Sequence, residues 1–113
     1  MKYDRTIKLF GQETFDKFKD VKLILFGVGG IGSFALDALY NTGITNITIV
    51  DFDTYEDSNM NRQLGSHGNI GRIKVEVLKE KYPEVTPIHV KVTPEWIDNF
   101  DFSSYDYILD AID

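Results

Sequence analysis

Lys22-Leu23-Ile24-Leu25-Phe26-Gly27-Val28-Gly29-Gly30-Ile31-Gly32-Ser33 is the stretch whose reading decides the fold. Leu23 to Phe26 is a continuous apolar run that ends at Gly27, the pattern of a strand buried on both faces of a parallel sheet. Four glycines follow in six residues. Beyond them Ile31, Phe34, Ala35, Ala38 and Leu39 recur at helical spacing, which predicts a helix with that stripe facing the core. Asn41 and Gly43 stop it.

Outward from this unit the alternation continues. Asn46 to Val50 is a second β-branched run, closed by Asp51. A polar stretch from Phe52 to Gly71 leads into a helix over Ile73 to Tyr82, stopped by Pro83. Ile88 to Val92 reads as a third strand. Pro94 starts a short helix through Trp96, and Tyr105 to Leu109 is a fourth strand. Strands alternating with helices predict a Rossmann-like α/β fold, a parallel sheet with helices on both faces. Right-handed crossovers give the strand order 3-2-1-4. Ahead of the sheet, residues 1–11 read as an arm and Thr14 to Asp20 as a short helix with Phe15 and Phe18 on one face.

The chain has 113 residues, 42% of them hydrophobic. That suits one domain with a packed core, divided into an arm and short helix over 1–20 and a βαβ core over 21–113. The last strand would leave apolar residues beside open backbone groups, which natural edges avoid. The chain is therefore expected to be an N-terminal piece truncated after the fourth strand, or to have its edge covered by a partner subunit. There are no cysteines, which excludes disulfides and thiolate chemistry within these residues. No apolar run approaches the ~20 residues of a membrane span, and no signal-like stretch opens the chain. A cytoplasmic protein is the expectation.

Charge is uneven. Residues 1–22 carry six basic and four acidic side chains; residues 23–113 carry six and fourteen. The acidic part repels nucleic-acid phosphates. A polynucleotide would have to be met by the arm, by a partner chain or by sequence outside these residues.

The glycines carry the first functional reading. Gly27, Gly29, Gly30 and Gly32 lie between a strand and a helix, with Asp51 nineteen residues after Gly32 at the end of the next strand. Glycine allows a tight turn and close approach of backbone to phosphate, the helix start offers unpaired N–H groups, and Asp51 can accept ribose hydroxyls. His67 reads as a solvated loop residue and His89 as a strand packing residue. Neither suggests a hydride-transfer site.

Ser58-Asn59-Met60-Asn61-Arg62-Gln63 would fall near the carboxyl ends of the strands, where open α/β sheets bind ligands. It clusters amide donors with a guanidinium that can grip phosphate by two hydrogen bonds. Lys74 adds an ammonium in the next helix. Together these favour triphosphate chemistry over dinucleotide holding, because such charge stabilises a leaving pyrophosphate. An NAD-binding oxidoreductase or sensor is the competing class. Asp51 suits both nucleotides, and Arg62 and Lys74 discriminate between them.

Arg5-Thr6-Ile7-Lys8-Leu9-Phe10-Gly11, Gly27 to Ser33, Asp51-Phe52-Asp53, Ser58 to Gln63, Gly71 and Lys74 occur in one order that resembles the ThiF/MoeB/HesA superfamily of ATP-dependent adenylating enzymes, relatives of ubiquitin-activating enzymes. Val92-Thr93-Pro94-Glu95 and Asp110-Ala111-Ile112-Asp113 are most similar to its tRNA threonylcarbamoyladenosine dehydratase branch. The resemblance implies ATP held by Gly30 and its neighbours, ribose on Asp51, the triphosphate on Asn59, Arg62 and Lys74, magnesium oriented by Asp113, and Asp53 in the nucleotide site. It implies a homodimer in which Arg5 reaches the partner's ATP. The implied acceptor is the carboxylate of the threonylcarbamoyl group on tRNA adenosine 37. The alternative acceptor is the C-terminus of a ubiquitin-like sulfur-carrier protein.

Overall fold

The fold is taken from a computed structural model, which describes residues 2–55 and 68–112. Four parallel strands, β1 (Leu23–Phe26), β2 (Ile47–Asp51), β3 (Thr86–His89) and β4 (Tyr107–Asp110), form one sheet in the order β3-β2-β1-β4. Phe26 lies beside Val50 on one side and Asp110 on the other, and Asp51 beside His89. The carboxyl ends of all four strands therefore share one edge of the sheet. The central β1 is buried throughout and β4 is exposed throughout, as expected for a middle strand and an open edge. Pro87, which has no N–H to donate, sits on β3 at the other edge, where its missing donor breaks no ladder.

Helices cover both faces. On one, α3 (Gly30–Thr42) and α4 (Lys74–Lys81) bring Leu36, Tyr40, Val75, Leu78 and Tyr82 onto Leu23, Leu25, Ile47 and Ile49. Burying each large aliphatic side chain contributes about 1.5–3 kcal/mol. On the other, α5 (Pro94–Asn99) sets Trp96 edge-on against Phe26, with Phe100, Phe102 and Tyr105 completing an aromatic layer. Thr93 caps α5 by accepting the Trp96 N–H, and Pro94 fills the first helical position.

Three expectations change. The stripe that faces the sheet from α3 is Gly32, Ser33, Leu36 and Tyr40. Ile31 and Phe34 are 78% and 56% exposed. The reason is steric. A Cβ at Gly32 would lie 1.8 Å from the Gly27 carbonyl oxygen, so the helix can dock only with Gly32 turned inward, and this rotates Ile31 and Phe34 outward. Second, the N-terminal arm is helical. The helices α1 (Asp4–Phe10) and α2 (Gln12–Phe18) meet at Gly11, whose N–H returns to the Ile7 carbonyl. Phe15 is buried against the C-terminal end of α3, its ring so near Gly43 that a Cβ there would stand 2.7 Å away. Third, β3 ends at His89 and not at Val92: after the Val90 N–H reaches the Asp51 carbonyl, the chain leaves the sheet edge and crosses towards α5.

Candidate functional site

The turn between β1 and α3 is drawn tight by backbone bonds. Gly27 has φ +89° and donates to the Val50 carbonyl at 2.8 Å. A Cβ on Gly27 would come within 2.8 Å of the Ala111 backbone, so only glycine lets the chain after β4 close over the turn. Gly29 then precedes α3, whose first turn has neither a capping side chain nor an acidic residue. Its N–H groups keep the positive end of the helix dipole available to an anion.

Asp51 ties the turn to β2. One carboxylate oxygen accepts the Val28 N–H at 2.8 Å and the other the Asp53 N–H at 2.7 Å. Each oxygen retains a lone pair for a further donor, and the side chain is held in one orientation. That is the arrangement a ribose diol requires.

These groups border a cleft of about 980 Å³ at the carboxyl edge of the sheet, lined among others by Gly27, Gly30, Asp51, Asp53 and Lys74. The size suits a nucleotide. Lys74 is the first residue of α4 and only 3% exposed. Its Nζ stands 3.8 Å from an Asp53 carboxylate oxygen, an ion pair without a hydrogen bond. The two residues are brought together by Lys74 N–H donating to the Asp53 carbonyl, and by Tyr55 pairing with Arg72 and Gly71. Tyr55 itself is buried. Desolvation, with a smaller contribution from the Asp51 carboxylate, pushes its phenol up to about 12.

Of the residues singled out from sequence, Gly27, Gly29, Gly30, Asp51, Asp53 and Lys74 line this one cleft. Gly32 stands behind it as the packing contact of α3. Ser58, Asn59, Asn61, Arg62, Gln63 and Asp113 lie outside the described residues, as does His67. Arg5 is exposed on α1 and does not join the cleft of its own chain. The arm docks at the far end of α3, where Lys2 lies over Tyr40 at 5.2 Å and Phe15, itself packed on Tyr3 at 5.1 Å, stands beside Gly43. Gly30 opens the other end, about 20 Å away along the helix.

Sequence reasoning missed Phe52, Val90, Lys91 and Val92, which also line the cleft. It misread His89, which is exposed and stacks on Phe52. The signal for the Val90–Val92 segment was its place between a strand's carboxyl end and a helix start, the position where such sheets bind ligands. Reading it as strand concealed it.

Residues 3–113 match the model of the ThiF family. The tRNA threonylcarbamoyladenosine dehydratase of Escherichia coli K12 is 34% identical over 99% of this chain and 44% of its own length. The molybdopterin-synthase adenylyltransferase of the same organism is 33% identical over 100% of this chain and 49% of its own. The chain thus spans less than half the length of these curated relatives. A solved structure of the E. coli tRNA N6-threonylcarbamoyladenosine dehydratase in complex with ATP superposes with a TM-score of 0.92 at 36% identity, covering 99% of this chain and 49% of that one.

Proposed function

Because the chain belongs to the ThiF family, we propose that its cleft binds ATP and serves the adenylation of a carboxylate. The acceptor we infer is the threonylcarbamoyl group of a tRNA adenosine, whose activation drives cyclisation. The observation that carries the nucleotide choice is Lys74, a buried ammonium opening into the same cleft as the glycine turn and Asp51. A buried cation calls for an anionic partner, and a triphosphate offers more negative charge than the pyrophosphate of a dinucleotide.

In this reading Asp51 accepts the ribose hydroxyls, and the N–H groups at the start of α3 and Lys74 hold phosphate oxygens. To Asn59 and Arg62 we assign triphosphate binding as well, and to Ser58, Asn61 and Gln63 a share in holding the nucleotide. A carboxylate oxygen attacks the α-phosphorus, the bond from that phosphorus to the bridging oxygen of the β-phosphate breaks, and pyrophosphate leaves. Positioning and charge neutralisation are what such a transfer needs from a protein. Magnesium fits the donor chemistry. The exposed Asp53 carboxylate lines the cleft, and the ion needs only one or two protein carboxylates beside substrate phosphates. Asp113 is the residue we assign to orient the metal, whose chemistry here is neutralisation of phosphate charge.

We further propose a homodimer in which Arg5 enters the partner's cleft, since its own chain holds it at the far end of α3. Among the described residues no helix is long and apolar enough to cross a membrane, and we assign the protein to the cytoplasm with its tRNA substrate. The test is pyrophosphate exchange by the full-length protein with threonylcarbamoylated tRNA or a ubiquitin-like carrier as acceptor. Exchange should follow the tRNA and fall about a hundredfold or more in Lys74→Ala and in Arg62→Ala. Exchange that follows the carrier would reassign the acceptor, and undiminished exchange in both variants would remove these residues from the chemistry.

A further inference from the structure

Tyr55 is the largest fully buried side chain among the described residues. It is not part of the cleft lining. It lies beneath Lys74, whose Nζ stands over its ring at 5.9 Å from the centroid. Main-chain bonds set this contact. The Tyr55 N–H donates to the Arg72 carbonyl at 3.0 Å and the Gly71 N–H returns to the Tyr55 carbonyl at 2.8 Å. Thr54 pairs antiparallel with Ile73, and the Lys74 N–H reaches the Asp53 carbonyl at 3.1 Å. The ring and the start of α4 are therefore fastened together through backbone, before any side-chain contact is counted.

A lysine side chain is long and freely rotating, and it keeps its ammonium in water where it can. The Lys74 side chain is only 4% exposed, whereas that of Asp53, its ion-pair partner at 3.8 Å, is 66% exposed. A solvated carboxylate beyond hydrogen-bond reach is a loose tether. The π-face of Tyr55 confines the ammonium from the inner side, because a ring face attracts a cation electrostatically, and most where water is excluded.

We propose that Tyr55 is a positioning residue whose ring holds the Lys74 ammonium extended towards the cleft, aimed before a triphosphate arrives. This rests on the adenylation reading and adds to it a residue outside the cleft lining. Two physical features support it. A charge fixed in advance needs no reorganisation as phosphate charge develops, and the ordering of a long side chain is then completed on folding and not on binding. An aliphatic side chain of similar volume would fill the same space, but it offers no face to a cation.

The test is pyrophosphate exchange by the full-length protein with threonylcarbamoylated tRNA, read beside the melting temperature of each variant. Tyr55→Leu should lower the exchange rate about tenfold, as a misplaced charge does. Tyr55→Phe keeps the ring face and should hold the rate within about twofold of wild type. Added to Lys74→Ala, Tyr55→Leu should cause no further loss, because a residue that acts through Lys74 then has nothing to act on. Fluorinated phenylalanine at position 55 thins the electron density of the ring face with little change of shape. Exchange should fall with each added fluorine while the fold is retained, and this arm does not depend on how well Tyr55→Leu folds. Equal exchange across the fluorinated series, or losses that multiply when Tyr55→Leu is combined with Lys74→Ala, would refute the positioning role and leave the adenylation reading standing. Undiminished exchange in Lys74→Ala would remove Lys74 from the chemistry, and the role of Tyr55 with it.

Discussion

Gly32 has no room for even a methyl group. An added Cβ would stand 1.8 Å from the Gly27 carbonyl oxygen and 3.4 Å from the Ala111 side chain, and the first of these is backbone that cannot swing aside. Gly32→Ala should therefore cost about 2 kcal/mol or more, as overpacked sites do, and chemical denaturation would register it. An unshifted midpoint would mean that α3 can ride outward freely. The glycine spacing was legible in the sequence because this turn tolerates no other residue, and Asp51 because an acid at the end of the second strand has few other reasons to be there. Lys91 and the exposed ring of Phe52 were not legible. Their role depends on where the chain leaves the sheet, which local pattern does not specify.

Among the elements, α3 and α4 are joined by hydroxyls as well as by apolar packing. Tyr82 donates to Asp37 and Tyr40 to Glu84 at 3.1 Å, and the two rings meet edge to face at 4.9 Å. Desolvation raises both phenols, with their carboxylate partners adding to the shift. Tyr55, beneath Lys74, is lifted to about 12. A group whose folded pKa lies above its unfolded value contributes stability that is complete below the unfolded value, near 10 for tyrosine, and is lost as pH rises towards the folded one. Stability should accordingly fall as pH climbs from 10 to about 12, and Tyr55→Phe should flatten part of that fall. An equal decline in the variant would place the loss elsewhere. Strand order 3-2-1-4 and the two helical layers followed from the sequence pattern, since handed crossovers leave little choice. The rotation of α3 did not. The apolar count on its two candidate faces is similar, and a single backbone contact at Gly32 decides between them. Nor did the helix α1, whose buried partner, Phe15 of α2, comes from the next element.

At the scale of the molecule, the basic arm and the acidic cleft-bearing body lie at opposite ends of α3. If Arg5 serves a neighbouring subunit, mixing an Arg5→Ala chain with a Lys74→Ala chain should restore part of the activity, because one site of each mixed dimer holds both residues. No recovery with heterodimers shown to form would reject the trans role. The exposed edge at β4, with Tyr107, Ile108 and Leu109 uncovered, was anticipated from its apolar sequence. The central claim, however, is the choice of nucleotide, because ribose at Asp51 and phosphate at the glycine turn serve ATP and NAD alike, and Lys74 argues for the triphosphate. The direct measurement is the melting temperature of the full-length protein with ATP and magnesium against NAD, since a ligand of the native state stabilises it by mass action. ATP with magnesium should raise it and NAD should leave it unchanged. Stabilisation by NAD equal to or larger than that by ATP would contradict the account.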